Sequence, residues 1–325
     1  MLLNFVALVI GLVVLVVAAD KFIIGTVAIA RKFGISPLLI GLTIVGLGTS
    51  APEILVSAIA SLQGNSGLAV GNALGSNIAN VGLILGCTAL ISPLAFKSDL
   101  LKKELPILMA VSLACYLMVF DGLDEVDGIL MLLMLVLFLA WLIFSAKKDS
   151  QKQSLDDPLE QELIDDMPED VSAKKSWLLF VAGLIGLLAS SRLLVWAAVN
   201  IAESFGVSDL VIGLTIVALG TSLPELAASI SSVLKKEDDL AVGNIIGSNM
   251  YNLLAVYSLP GLLAPGPVAE SVVSRDFPVM LALTAVLFIL GYGLTKAGHI
   301  NRWEGGGLLL AYFGYQWVIY QSTVI

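Results

Sequence analysis

Two glutamates, Glu53 and Glu225, stand in stretches that are otherwise apolar or small: "GLTIVGLGTSAPE" at 41–53 and "GLTIVALGTSLPE" at 213–225. A buried carboxylate is costly unless it is paired, so each needs a partner or a purpose. Thr49 and Glu53 are four apart and share one helical face, with Ser50 adjacent; Ser76 and Asn80 repeat that spacing in the next apolar run. Thr221, Ser222, Glu225, Ser248 and Asn252 duplicate the set. Pro52 and Pro224 cannot donate to the carbonyls four residues back, so Gly48 and Gly220 are expected to offer free backbone oxygens. Hydroxyls, amide oxygens, carbonyls and two carboxylates are hard ligands, suited to Ca²⁺ or Na⁺ rather than a thiophilic metal. Two carboxylates balance one Ca²⁺ or share several monovalent ions, which is a physical basis for exchange.

The elements that carry these residues must lie in lipid. The 325-residue chain has a mean hydropathy of +0.96 and 13% charged residues, more apolar surface than one soluble core can hide. Apolar runs of spanning length fall near 2–20, 37–62, 68–92, 105–120, 128–146, 177–200, 209–234, 240–264, 277–295 and 305–321, predicting ten helices. The N-terminal run lacks a basic region and cleavage site and is expected to be a retained first span. Fifteen of the 17 Lys and Arg residues fall on one side of this layout, leaving Arg192 and Arg275. The positive-inside rule makes that side cytoplasmic and both termini extracytoplasmic. Trp141, Trp177, Trp303 and Trp317 lie near predicted span ends, as interfacial aromatics do.

The net charge of −9 is a local matter, since nine of the 26 acidic residues lie between Asp149 and Asp170. That segment, 147–176, is expected to be a solvated cytoplasmic linker, because it has few large apolar residues and lacks the spacing of an EF-hand. Cys87 and Cys115 sit in apolar runs and are expected to pack as small hydrophobes.

A shift of 172 residues superposes the two glutamate blocks, and also "AVGNALGSNIAN" (69–80) on "AVGNIIGSNMYN" (241–252). From Phe33 to Asn80 against Phe205 to Asn252 there are 27 identities in 48 positions without a gap. With five helices per half, the second copy enters the membrane from the opposite side, and the repeats are inverted. The fold class expected is therefore an all-α polytopic membrane protein: 1–146 and 177–325 form two five-helix repeats around the linker, with broken helices at the midplane. Inverted repeats bring equivalent midspan residues together at one central site.

In these blocks the sequence resembles the calcium/cation antiporter superfamily, specifically its bacterial and archaeal sodium/calcium exchangers; "GLGTSAPE" with "GNALGSNIAN" and "ALGTSLPE" with "GNIIGSNMYN" look like that family's alpha-repeats. The resemblance implies alternating-access antiport of Ca²⁺ against Na⁺ in the cell (inner) membrane, commonly three Na⁺ for one Ca²⁺, with no cofactor and no nucleic-acid partner. It implies that a monomer suffices for transport and that spans one and six form a mobile pair. Carried over by motif, Glu53 and Glu225 are the central carboxylates. Thr49, Ser50, Thr221, Ser222, Ser76 and Ser248 supply backbone or hydroxyl oxygens, Gly46 and Ala218 supply carbonyls, and Asn80 and Asn252 complete the set. Some relatives have Asp at the last position, so Asn252 removes one possible charge and weakens a case for potassium co-transport.

Ca²⁺/H⁺ antiport and antiport of another divalent cation use the same carboxylates and stay open on the residues alone. An enzyme is not expected: an intramembrane hydrolase using Ser50 or Ser222 needs a base, and the sole histidine, His299, falls in a predicted cytoplasmic turn. A passive channel usually uses an oligomeric pore, and a duplicated internal site suits alternating access better.

Overall fold

The computed structural model describes residues 2–33, 37–96, 101–150, 172–204, 218–292 and 298–324. Most of the acidic linker and the first part of the run expected at 209–234 lie outside them. Helices dominate: α1 (Leu2–Phe33), α2 (Pro37–Ile40), α3 (Gly46–Thr49), α4 (Ala51–Leu62), α5 (Ser66–Ala79), α6 (Gly86–Ile91), α7 (Leu101–Met118) and α8 (Glu125–Ser150) form the first half. The second comprises α9 (Ala173–Ser204), α10 (Ala218–Thr221), α11 (Leu223–Leu234), α12 (Asp238–Tyr251), α13 (Ser258–Leu263), α14 (Phe277–Tyr292) and α15 (Arg302–Val324). Among the described residues, a two-residue antiparallel ladder, β1 (Leu94–Ala95) on β2 (His299–Ile300), and a single antiparallel bridge between Leu123 and Gly266 join inter-helix connections.

Six helical stretches are long and apolar enough to cross a bilayer, and a seventh is the pair Gly41–Thr49 and Ala51–Leu62, bent by 50° at Ser50. The expected ten are thus not all met by length and apolarity among the described residues. The stretch from α12 to α13 is helical but carries Asp238, Asp239, Asn244, Ser248, Asn249 and Asn252, and α15 opens on Arg302, Trp303 and Glu304 followed by three consecutive glycines. Outward faces agree with a lipid setting: Val9, Val13 and Val16 on α1 and Leu133 and Val136 on α8 are exposed, as are Trp177, Trp303 and Trp317. Cys115 is buried and Cys87 partly so, both as free thiols.

The duplication recurs in local geometry. The bounds of α4, α5 and α6 shifted by 172 give those of α11, α12 and α13. Left-handed backbone occurs at Gly64 and again at Lys236, which closes the equivalent tight turn without a glycine. α1 and α9 lie antiparallel, since Gly11 meets Leu194 while Phe22 meets Gly183, and each contact is the other under the same shift. Gly25 approaches the backbone of Phe180 so closely that only hydrogen fits between them. One hydrophobic cluster centres on this helix pair around Leu15, Phe22, Phe180 and Leu187 and reaches Ile40, Val45, Ala228 and Leu240. A second, larger cluster fills the body between α5, α7, α12 and α14. Lys235 Nζ, at the end of α11, lies 2.5 Å from Asp20 Oδ1 on α1 and ties the pair to the body.

Candidate cation site

Both glutamates sit in the first turn of a helix that begins at a break. Ser50 (φ −79°, ψ 3°) ends α3 and Ser222 (φ −89°, ψ 5°) ends α10; Pro52 and Pro224 then stand at the start of α4 and α11. Proline is tolerated there because an N-terminal N–H has no intrahelical acceptor to lose. The break places Glu53 and Glu225 at the positive ends of two helix dipoles, which offsets part of the cost of burying them.

The halves interlock around this point. Ser50 Oγ donates to Glu225 Oε1 at 3.2 Å, and Ser222 Oγ donates to Glu53 Oε1 at 3.3 Å, so each carboxylate is held by the hydroxyl of the opposite repeat. Glu53 and Glu225 are close enough for each charge to act on the other, with Thr221 beside Glu53 and Thr49 and Ser248 beside Glu225. Asn80 Nδ2 donates to Asn249 Oδ1 at 3.0 Å across the repeats. Ser76 and Asn80 come from α5 and its continuation, Ser248 and Asn252 from the equivalents on α12. A π-helical segment starts on each asparagine, Asn80–Leu85 and Asn252–Val256, and such segments are frequent at functional sites.

What the protein does not satisfy is as informative. Glu53 Oε2, Glu225 Oε2, Ser76 Oγ, Ser248 Oγ, Asn80 Oδ1 and Asn252 Oδ1 are buried with no hydrogen-bond partner. They are three symmetry-related pairs, and leaving such a group unmade costs about 1–3 kcal/mol, more when charged. No group of three or more His, Cys, Asp or Glu residues gathers anywhere among the described residues, so any cation here is met chiefly by neutral oxygen.

A profile of the sodium/calcium exchanger protein family matches residues 3–144 and again residues 175–321. The chain belongs to this family. Among other family members, the sodium/calcium exchanger MaX1 of Methanosarcina acetivorans is 33% identical over 98% of this chain and 98% of its own length. The inner membrane protein YrbG of Escherichia coli is 43% identical over 89% of each chain, and CaxA of Alkalimonas amylolytica 49% identical over 96% and 97%. The structure of the sodium-calcium exchanger NCX_Mj soaked with Na⁺ and Ca²⁺ superposes with a TM-score of 0.81 at 32% identity, covering 96% of this chain and 97% of that one.

Within this family member, ten of the twelve residues expected at the site contribute buried side chains at the crossing of the repeats. The other two were expected through their carbonyls. Gly46 O already accepts from Ser50 N at 3.0 Å, and Ala218 opens α10. One expectation is corrected: the Gly220 carbonyl is not free, because Ser191 Oγ on α9 donates to it. A hydroxyl from a distant helix replaces the donor that Pro224 lacks.

Sequence reasoning passed over Asn72 and Asn244. Asn72 Nδ2 donates to the Glu53 carbonyl at 3.1 Å and to Ser57 Oγ at 2.9 Å; Asn244 Nδ2 does the same to Glu225 at 3.5 Å and Ser229 at 3.2 Å, while Asn244 Oδ1 accepts from Thr49. The signal was present, since both amides are identical across the repeat in "AVGN". Asn72→Leu removes two donors from buried acceptors and is expected to cost about 1–3 kcal/mol, read as a lowered thermal unfolding midpoint in detergent. An unchanged midpoint would show that the amide does not position Glu53.

Proposed function

We propose that the chain is a secondary antiporter exchanging Na⁺ for Ca²⁺ by alternating access at one central site. The observation that carries this reading is the set of six unpartnered buried oxygens, two of them carboxylate, in three symmetric pairs. Glu53, Glu225, Ser76, Ser248, Asn80 and Asn252 hold the cations through those atoms; Thr49, Ser50, Thr221 and Ser222 border it, with the carbonyls of Gly46 and Ala218. Ten spans in two inverted repeats, 1–146 and 177–325, carry the site, with the 147–176 linker cytoplasmic and both termini outside. The paired family match and the shared shift in helix bounds support that architecture.

Coupling follows from charge. One Ca²⁺ neutralises the two carboxylates; once it leaves, two like charges face each other in a low-dielectric interior, where their repulsion is strong. The site is then refilled before the helices rearrange, and Na⁺ is the second cation of the same hard class. Loading also turns the Ser50 and Ser222 hydroxyls, whose hydrogens now point at the carboxylates. Three Na⁺ against one Ca²⁺ moves one net charge, worth about 2.3 kcal/mol per 100 mV.

Proteoliposomes loaded with Na⁺ and diluted into Na⁺-free buffer with labelled Ca²⁺ should take up Ca²⁺, faster when the interior is made positive, because each turnover carries one net positive charge outward. The same vesicles with a pH gradient in place of the Na⁺ gradient should not. Uptake driven by protons alone would replace this reading with Ca²⁺/H⁺ antiport.

A further inference from the structure

Arg275 is one of the two basic residues that the charge layout leaves on the opposite side from the rest. It stands at the mouth of a groove of about 390 Å³ between α14 and α15, lined by Val279, Ala282 and Val286 of the first helix and by Ala311, Gly314 and Val318 of the second. Most of these residues are exposed, so the groove opens on the lipid-facing side. A Cβ at Gly314 would meet nothing within 4 Å. Arg275 Nε donates to Asp276 Oδ1 at 2.6 Å and Nη2 to Oδ2 at 3.3 Å, while Nη1 donates to Ser322 Oγ at 2.9 Å. Those three bonds clamp the guanidinium and leave two of its five N–H donors for a further acceptor.

The groove has the depth of one leaflet. The two helices run antiparallel, with Arg275 beside Ser322 at one end. Val286 and Ala311 lie eleven residues further along, about 16 Å at the rise of a helix, against about 15 Å for half of the hydrocarbon core. Trp317 and Tyr320, exposed and packed on each other, mark the headgroup level near Ser322. Ala311 falls midway between Tyr320 and Trp303, which is exposed at the opposite end of α15. The repeat supplies a comparison. The 172-residue shift carries "KKELP" (102–106) onto "SRDFP" (274–278). The helices that follow correspond at a shift of 177, since a Cβ at Gly128 would lie 2.9 Å from Ser258 O and one at Gly305 would lie 2.9 Å from Gly86 O. On these shifts Ile107 stands for Val279, Met134 for Ala311, Leu137 for Gly314 and Trp141 for Val318, so the first half carries a larger side chain at each of these places. Lys103 stands for Arg275 and lacks its planar fork.

We propose that α14 and α15 hold one glycerophospholipid of the adjoining leaflet, with its phosphate on the remaining donors of Arg275 and an acyl chain in the groove past Gly314. This goes beyond the antiport reading and does not rest on it. Guanidinium–phosphate hydrogen bonds are charge-assisted and among the stronger polar contacts, and the bonds to Asp276 and Ser322 hold this guanidinium ready for one. Arg275 and Tyr315 also line a second cavity, of about 140 Å³, which reaches Gly71 and Asn72. The headgroup is thus seated on the far side of a wall from the amide that holds the Glu53 carbonyl.

The full chain, purified in detergent and stripped of lipid, is titrated with palmitoyl-oleoyl-phosphatidylglycerol, and bound lipid is counted by native mass spectrometry. One phosphatidylglycerol per chain should be retained. The diacylglycerol with the same two chains and no phosphate should bind about tenfold more weakly, the loss expected of a charge-assisted hydrogen bond. Gly314→Leu gives the second half the side chain that Leu137 provides in the first, and should weaken phosphatidylglycerol binding about tenfold by filling the groove. Arg275→Gln should act in the same direction, and Gly314→Leu decides the matter where that variant folds poorly beside Asp276. Equal binding of the two lipids, or equal binding by the parent and Gly314→Leu, would overturn the site. A dimer of the parent that Gly314→Leu disperses would give the groove to a second copy of the chain and overturn it as well.

Discussion

Glu53→Gln should abolish Ca²⁺ transport in reconstituted vesicles while the protein still folds, and Glu225→Gln should do the same. Both carboxylates are buried at the crossing of the repeats, each accepting a hydroxyl from the opposite half and each leaving one oxygen unpartnered. Removing one charge from a buried charge set costs about 3–5 kcal/mol, roughly two to four orders of magnitude in cation affinity. Glutamine keeps the shape and can still accept from Ser222, so the fold is expected to persist with an unfolding midpoint near that of the parent. The double variant should be no worse than either single one, because the two act as a unit. Residual transport above a tenth of the parent rate in either single variant would remove that glutamate from the site.

Gly247→Val should be the most destabilising single substitution on α12. A Cβ at Gly247 would lie 2.5 Å from the carbonyl oxygen of Leu42 and 2.9 Å from its Cα. Both are backbone atoms of the π-helical Gly41–Val45 segment, so no flexible side chain can yield. Overpacking of this kind costs about 3 kcal/mol or more, and the midpoint of unfolding in detergent should fall accordingly. Gly314→Val on α15, where a Cβ meets nothing within 4 Å, is the matched control and should shift stability by about 0.5 kcal/mol at most. Equal midpoints for the two variants would mean that the close contact at Gly247 is not maintained.

Much of this was legible in the chain before any coordinates. The shift of 172 carried Glu53 onto Glu225 and predicted a shared centre, and helix breaks were predicted beside Pro52 and Pro224. Those features are local or repeated, and repetition is visible in one dimension. What stayed hidden depends on which helices touch. Nothing near Pro224 announces that Ser191, 29 residues before Gly220, will donate to the Gly220 carbonyl. The π-helical turns at Asn80 and Asn252 depend on which carbonyl each N–H selects, a choice that residue type leaves open. Asn72 and Asn244 were visible as repeated amides, but their partners are the backbones of the glutamates themselves, one helix away.

The hydroxyl of Ser191 has no equal on α1, where Ala19 occupies the matching place. A carrier with two identical halves would meet the same barriers whichever way it turned, and its kinetics would be blind to the face from which it loaded. Rectification must therefore be written where the halves differ. Ser191 fastens α9 to the second broken helix, and Ala19 on α1 has no hydroxyl with which to fasten the first in the same way. The gradients decide where the ions go; differences such as this methyl for a hydroxymethyl are where the two half-journeys can become unequal.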